Sequence, residues 1–143
     1  MVAVSWCLCG RECRYDGTAK PDEKAIALAR EGAVCICPEA MGGLSIPREP
    51  AEIVGGDGYD VLDGRARVIS ASGKDVTAEY IAGAEEALRL CREKLVTHAM
   101  LKANSPSCGC GRIYDGSFTG RKRTGDGVTA ALFKRNGITV TTE

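Results

Sequence analysis

The sequence predicts an α/β fold: a single three-layer domain over residues 1–143, with a mostly parallel sheet, helices on both faces and a short β-hairpin excursion. Two observations carry that expectation. Short apolar, β-branched runs alternate with longer stretches whose apolar residues recur at helical spacing, and repeated β-α-β units build a parallel sheet covered on both faces. Cysteines also gather in three patches, Cys7/Cys9/Cys13, Cys35/Cys37 and Cys108/Cys110, each at or just beyond the carboxyl end of a predicted strand. That edge is where open α/β sheets bind ligands.

Residues 2–6 are apolar and β-branched enough to form a buried strand, and Cys7 falls where it ends. The stretch from Leu8 to Lys20 is rich in glycine and charge and reads as a loop. Pro21 opens a helix through Asp22 to Glu31, with Gly32 as its stop. Ala33 to Cys37 is the next buried strand, ended by Pro38. The middle of the chain changes character: Ala51–Val54 and Tyr59–Leu62 flank a glycine-rich Gly55-Gly-Asp-Gly58, and Asp63-Gly64 precedes Arg65–Ile69. Short antiparallel strands making an excursion over the site are expected there.

From Thr77 to Lys94, Tyr80, Ile81, Ala84, Leu88, Cys91 and Leu95 recur at helical spacing, which makes a long helix with Cys91 in its buried stripe. Thr97 to Lys102 is a third strand, followed by the loop Ala103 to Gly111. Asp126 is placed to cap a helix from Gly127 to Asn136, Gly137 stops it, and Ile138 to Thr141 closes the sheet.

Composition excludes several function classes. The chain carries 19 basic and 19 acidic residues, so it lacks the positive excess of a dedicated nucleic-acid binder. Its one basic cluster, Arg121-Lys-Arg123, sits beside glycines and reads as a solvated loop. With aromatic residues at 5%, no interleaved stacking platform for single strands is present. A small-molecule ligand is favoured. No run approaches the ~20 apolar residues of a membrane span, and the opening run Met1–Trp6 lacks a basic flank and a cleavage site, so it is read as a strand and not a signal peptide. A cytoplasmic location, with reduced thiols, is expected.

Eight cysteines allow disulfides in principle, but a reducing compartment and a chain long enough to build its own core argue for a metal or iron-sulfur site. Thiolates suit zinc or iron-sulfur clusters. Structural zinc usually takes paired Cys-x2-Cys or Cys-His ligands; no Cys-x2-Cys occurs, and the sole histidine, His98, begins an apolar strand as a structural residue. One cysteine from each of three loops would instead hold three corners of an iron-sulfur cube and leave the fourth iron open.

The chain resembles the bacterial thiouracil desulfidases and their relatives. The resemblance is carried by Ser5-Trp-Cys-Leu-Cys-Gly10 with Cys13-Arg-Tyr-Asp-Gly17, and by Cys37-Pro-Glu-Ala-Met-Gly-Gly43 with Pro47-Arg-Glu-Pro50. Lys102-Ala-Asn-Ser-Pro-Ser-Cys-Gly109, Gly111-Arg-Ile-Tyr-Asp-Gly-Ser-Phe-Thr-Gly120 and Gly125-Asp-Gly-Val-Thr-Ala-Ala-Leu132 extend it over nearly the whole chain. It implies a 4Fe-4S cluster held by Cys7, Cys37 and Cys108, and a hydrolytic, non-redox removal of sulfur from a thiolated pyrimidine. It also implies that Glu39 activates water and Ser105 relays a proton.

The residues support those roles separately, since Glu39 follows Cys37 by two positions at a strand end and should reach the same cavity. By position alone, Ser107 ranks equally with Ser105. Arg48, Asp16 and Tyr114 are the candidate substrate-holding residues, although Asp16-Gly17 and Asp115-Gly116 also suit plain turns. Cys9, Cys35 and Cys110 stand where the family pattern commonly has leucine, proline and serine. In extended backbone residues i and i+2 share a face, so these thiols are expected near the cluster. If one of them, or Cys13, took the fourth iron, the chain would be a redox, sensor or sulfur-relay protein instead of an enzyme.

Overall fold

The computed structural model describes all 143 residues. Its centre is a four-stranded parallel sheet of β1 (Val2–Ser5), β2 (Val34–Ile36), β5 (His98–Leu101) and β8 (Thr139–Thr142), in the order β2-β1-β5-β8. Ala3 pairs with Val34 on one side and Ala99 on the other, and His98 pairs with Thr139. Alternation along the strands divides the side chains between two faces. Ala3, Ile36, Ala99, Leu101 and Val140 pack against Leu88 and Cys91 of α4 (Thr77–Glu93) and against Ala130 and Phe133 of α5 (Val128–Arg135). Phe133 is fully buried, which alone contributes about 1.5–3 kcal/mol. The opposite face, Val4 and Met100, meets Leu8 and Ala25, the latter on α1 (Glu23–Arg30).

The order of the strands matters for function. β1 runs between β2 and β5, so the chain leaves β1 to one side and returns past it to the other. Such a reversal opens a crevice beyond the carboxyl ends of the strands. A 3-10 turn (Trp6–Cys9) follows β1, the helix α2 (Pro38–Met41) follows β2, and the loop 102–111 follows β5; all three start at that edge. Lys102 N–H donates to Ser5 Oγ at 2.9 Å, tying two of these exits together.

The excursion is a hairpin of β3 (Ala51–Val54) and β4 (Arg67–Ser70), antiparallel with Ala51 opposite Ser70. Tyr59–Leu62, expected as a strand, lies instead within α3 (Gly58–Leu62), because Asp57 and Asp60 form a capping box that satisfies the helix's first N–H groups. The excursion packs Ile53, Val61 and Val68 with Tyr80 and Ala84 of α4 in a second apolar cluster. A further hairpin, β6 (Arg112–Tyr114) with β7 (Lys122–Thr124), was not anticipated; the basic cluster Arg121-Lys-Arg123 overlaps its exposed second strand.

Leu95 does not extend the apolar stripe of α4: it lies past the helix end at φ 57° and is 78% exposed. Three more expectations differ from the structure. Asp22, and not Pro21, starts α1: its carboxylate accepts the Ala25 N–H at 3.1 Å. Pro38 ends β2 but also opens α2 at its first position. Asp126 does not cap α5; it is buried, accepts the Gly111 N–H at 2.8 Å and pairs with Lys134 at 2.9 Å, while Gly127 takes the cap position. His98 is an exposed strand-start residue, its Nδ1 3.1 Å from the Thr97 hydroxyl. No helix is long and apolar enough to cross a membrane.

Candidate active site

At the switch-point edge lies a cavity of about 290 Å³ lined by residues from each of the three strand exits. Cys7 enters from the turn after β1, Cys37 from the cap of α2, and Cys108 from the loop after β5. Backbone bonds fix each approach. Cys7 C=O accepts the Lys20 N–H at 3.0 Å and Leu8 C=O accepts the Asp22 N–H at 2.8 Å, which holds the first turn against the start of α1. Gly127 N–H donates to Gly109 C=O at 2.7 Å, bracing the third loop on α5.

Glu39 and Ser105 meet in this cavity. The Ser105 hydroxyl donates to Glu39 Oε1 at 3.1 Å and accepts the backbone N–H groups of Ser107 and Cys108, each at 3.1 Å. A hydroxyl has one donor and two acceptor positions, so the two N–H groups leave its proton pointing at the carboxylate. Ser107, its equal by position, is turned away: its hydroxyl pairs with buried Thr129 at 2.7 Å, and it does not line the cavity.

The other carboxylate oxygen is held by Arg48. Arg48 Nε donates to Glu39 Oε2 at 2.8 Å, its Nη2 reaches the same oxygen, and both Nη groups donate to Cys13 C=O at 3.3 Å. Only 8% of the Arg48 side chain and 12% of the Glu39 side chain reach solvent. Burial works against the guanidinium's charge, but the adjacent carboxylate outweighs it and pushes the Arg48 pKa up. Arg48 therefore lines the cavity as a brace behind Glu39, its hydrogen-bonding capacity largely taken by protein groups, and not as a free hand for a ligand.

Tyr114 lines the cavity; Asp16 does not. Asp16 is exposed and folds its carboxylate back to accept the Thr18 hydroxyl at 2.5 Å and the Thr18 N–H at 3.0 Å, closing its own turn, which lowers its pKa. Its neighbour Tyr15 faces the cavity instead. Of one Trp, four Tyr and two Phe in the chain, Trp6, Tyr15, Tyr80 and Tyr114 all line this one space. An aromatic-walled pocket with a few polar groups suits a flat ring. Tyr80, part of the buried α4 stripe, also reaches the cavity. Its phenol is pushed above the ordinary range by burial and by the Glu39 carboxylate, so it stays a proton donor. Asn104, not among the residues expected from sequence, also lines the cavity, at φ 66°, a conformation Asn tolerates better than most residues.

The thiol set fits an iron-sulfur cluster. Burial and the Glu39 charge push the Cys108 thiol up to about 12, and Cys37 is raised by its hydrogen bond with Cys13 and by burial. Thiols so placed ionise readily only against an added positive centre, and soft thiolates select zinc or iron-sulfur chemistry. Three thiols delivered to one cavity by three separate strand exits suit a cube, which takes its thiolates at separate corners.

The extra cysteines Cys9, Cys35 and Cys110 do not line the cavity. Cys9 and Cys35 face each other outside the cavity lining, packed against the cluster that holds Cys7 and Cys13; Cys110 donates to Val140 C=O at 3.6 Å, and Cys91 is a fully buried core residue. Side chains at i and i+2 part company here because Cys7 and Cys9 sit on a 3-10 turn and Cys37 has left the strand. Cys13 is the exception. It is 1% exposed, lines the cavity and lies beside Cys37 and Cys7. Its pKa rises to about 11, the hydrogen bond with Cys37 pulling down while that with Cys7 and burial push up.

The sequence model of the 2-thiouracil desulfurase family matches residues 2–143. The uncharacterized protein YbbK of Bacillus subtilis (strain 168) is 53% identical over 144 residues, a match covering 100% of this chain and 95% of YbbK. Among solved structures, the 4Fe-4S-dependent thiouracil desulfidase TudS, a DUF523 protein, has a TM-score of 0.87 at 46% identity, covering 99% of this chain and 89% of that one.

Proposed function

We infer that this chain, which belongs to the 2-thiouracil desulfurase family, is a 4Fe-4S-dependent thiouracil desulfidase that converts a thiolated pyrimidine and water to the oxo compound and hydrogen sulfide. The observation that carries the reading is the Glu39–Ser105 hydrogen bond, set in an aromatic cavity among three thiols from three strand exits. Cys7, Cys37 and Cys108 would hold the cluster. When bound, it would supply Lewis acidity toward the substrate's sulfur, making the attached carbon more electrophilic.

The chain's own residues do the rest. Glu39 takes a proton from the attacking water, with Arg48 fixing the direction of the carboxylate. Ser105, its hydroxyl oriented by two N–H groups, passes a proton between Glu39 and the departing sulfur. Oxygen from water replaces sulfur at one carbon, and no electrons change hands. Trp6, Tyr15 and Tyr114 give the pyrimidine flat faces to lie against, and Tyr80 offers a neutral hydroxyl beside the carboxylate. The cavity's size and the balanced charge favour a free small molecule over thiolated RNA. The whole 1–143 segment acts as one domain, in the cytoplasm, where thiols stay reduced.

A second reading rests on Cys13. Its standing as a fourth cavity thiol supports a reading in which it completes cysteine ligation of the cluster, making the chain a redox, sensor or sulfur-relay protein. One experiment separates the two. Protein purified without oxygen and reconstituted with iron and sulfide is expected to hold about four irons and four sulfides per chain and to release sulfide from 2-thiouracil, with Cys13→Ser still active. A cluster of full stoichiometry without sulfide release, gaining activity only in Cys13→Ser, would establish the second reading. Stoichiometric zinc without labile sulfide would sink both.

A further inference from the structure

Two thiols take no part in the cavity yet face each other. Cys9 ends the 3-10 turn that carries Cys7, and Cys35 is the middle residue of β2, two positions before Cys37. Their sulfurs lie 4.0 Å apart across 26 positions of sequence. Both are half-buried, and neither lines the cavity. The remaining bonds to these sulfurs are long S–H contacts: Cys9 to Ser5 C=O and Ala25 C=O at 3.7 Å, and Cys35 to Ala33 C=O at 3.9 Å. Rotation about the two Cα–Cβ bonds is the motion that takes sulfurs from contact to the ~2.05 Å of a disulfide.

We propose that Cys9 and Cys35 form a reversible dithiol–disulfide site, oxidised by low-molecular-weight disulfides, that staples the Cys7 turn to β2 without consuming a cavity thiol. The chemistry is thiol–disulfide exchange. One protein thiol attacks the small disulfide, forming a mixed disulfide and releasing one small thiol. The second protein thiol then attacks the mixed disulfide and releases the other. The two cysteines together lose two electrons and two protons; the small disulfide gains them as two thiols. Intracellular disulfides of this kind are transient and redox-sensing, not structural. The staple joins the segments that deliver Cys7 and Cys37, so it bears on the geometry of two proposed cluster ligands while Cys7, Cys13, Cys37 and Cys108 stay out of the disulfide. The inference stands whatever the substrate of the cavity is.

The test uses the reconstituted holoprotein, incubated without oxygen with oxidised glutathione, quenched by alkylation under denaturing conditions and digested without reductant. A cross-linked Cys9–Cys35 peptide, lighter by two hydrogens and dispersed by a dithiol, is expected, with the iron and sulfide content unchanged. Cys9→Ser and Cys35→Ser should each give a glutathione adduct on the remaining partner and no cross-link. Separate adducts on Cys9 and Cys35 in the wild type would overturn the proposal. So would cross-links that join cavity cysteines, or two unmodified thiols.

Discussion

Glu39 is gripped from both sides, and the two grips have different consequences when removed. In the proposed reaction Ser105 relays a proton, so Ser105→Ala should lower kcat by roughly 10²–10⁴-fold, the usual range for a lost acid–base group. Iron content should stay intact, as measured by iron analysis beside initial rates of sulfide release. Arg48 provides direction. Arg48→Lys keeps a charge but loses the planar fork that spans Glu39 Oε2 and Cys13 C=O. A fall in kcat of roughly 100-fold with KM little changed is expected, because a carboxylate misplaced by about 1 Å costs that much. A rise in KM alone would return Arg48 to the substrate. Arg48→Met leaves Glu39 as a nearly buried, unpaired charge, which should cost about 3–5 kcal/mol in unfolding experiments.

Glu39 is aimed by α2, and α2 is aimed by α4. The two helices touch backbone to backbone: a Cβ on Gly42 would fall 2.0 Å from Glu79 C=O, and one on Gly83 would fall 1.9 Å from Pro38 C=O. Gly83→Ala should therefore push α2 away, lose about 1–3 kcal/mol of stability and depress activity, though position 83 touches no substrate. Denaturant unfolding together with kcat checks this. Such contacts explain what the sequence could not say. The parallel strands and the long helices announce themselves by periodicity, and the three cysteine patches mark their shared edge. The four-residue α2 has no period to read, and α3 is fixed by a capping box inside a segment that alternates like a strand. Asp126 has the residue type of a cap but spends its carboxylate on Gly111 and Lys134.

At the scale of the whole molecule, the parallel sheet brings side chains more than a hundred positions apart in sequence into one cavity. The cysteine patches made that convergence legible, but the division of labour among the thiols depended on local turns: Cys9 and Cys35 rotate out and Cys13 rotates in. The choice of Ser105 over Ser107, and of Tyr15 over Asp16, likewise needed the loops. The loop after β5 is secured at its start by Glu143, whose carboxylate pairs with Lys102 at 3.0 Å and accepts the Ala103 N–H at 2.6 Å. Burial works to raise its pKa, but the N–H and the ammonium outweigh it and hold it below its ordinary value. Its stabilisation is therefore full above the unfolded-state value of about 4.3 and is lost as pH falls through the lower folded value. Glu143→Gln should remove on the order of 1 kcal/mol at neutral pH and flatten that part of the acid limb in urea unfolding of the iron-free protein.

The measurement that bears most directly on the active site is sulfide release from 2-thiouracil by the reconstituted Glu39→Gln protein, with iron and labile sulfide determined on the same sample. Glutamine keeps the size of the side chain and removes its basicity. The expected result is a full cluster, unchanged substrate affinity and a kcat lower by at least about 10²-fold. Turnover at the wild-type rate on a full cluster would contradict the assignment of Glu39 as the base and of the cavity chemistry built around it.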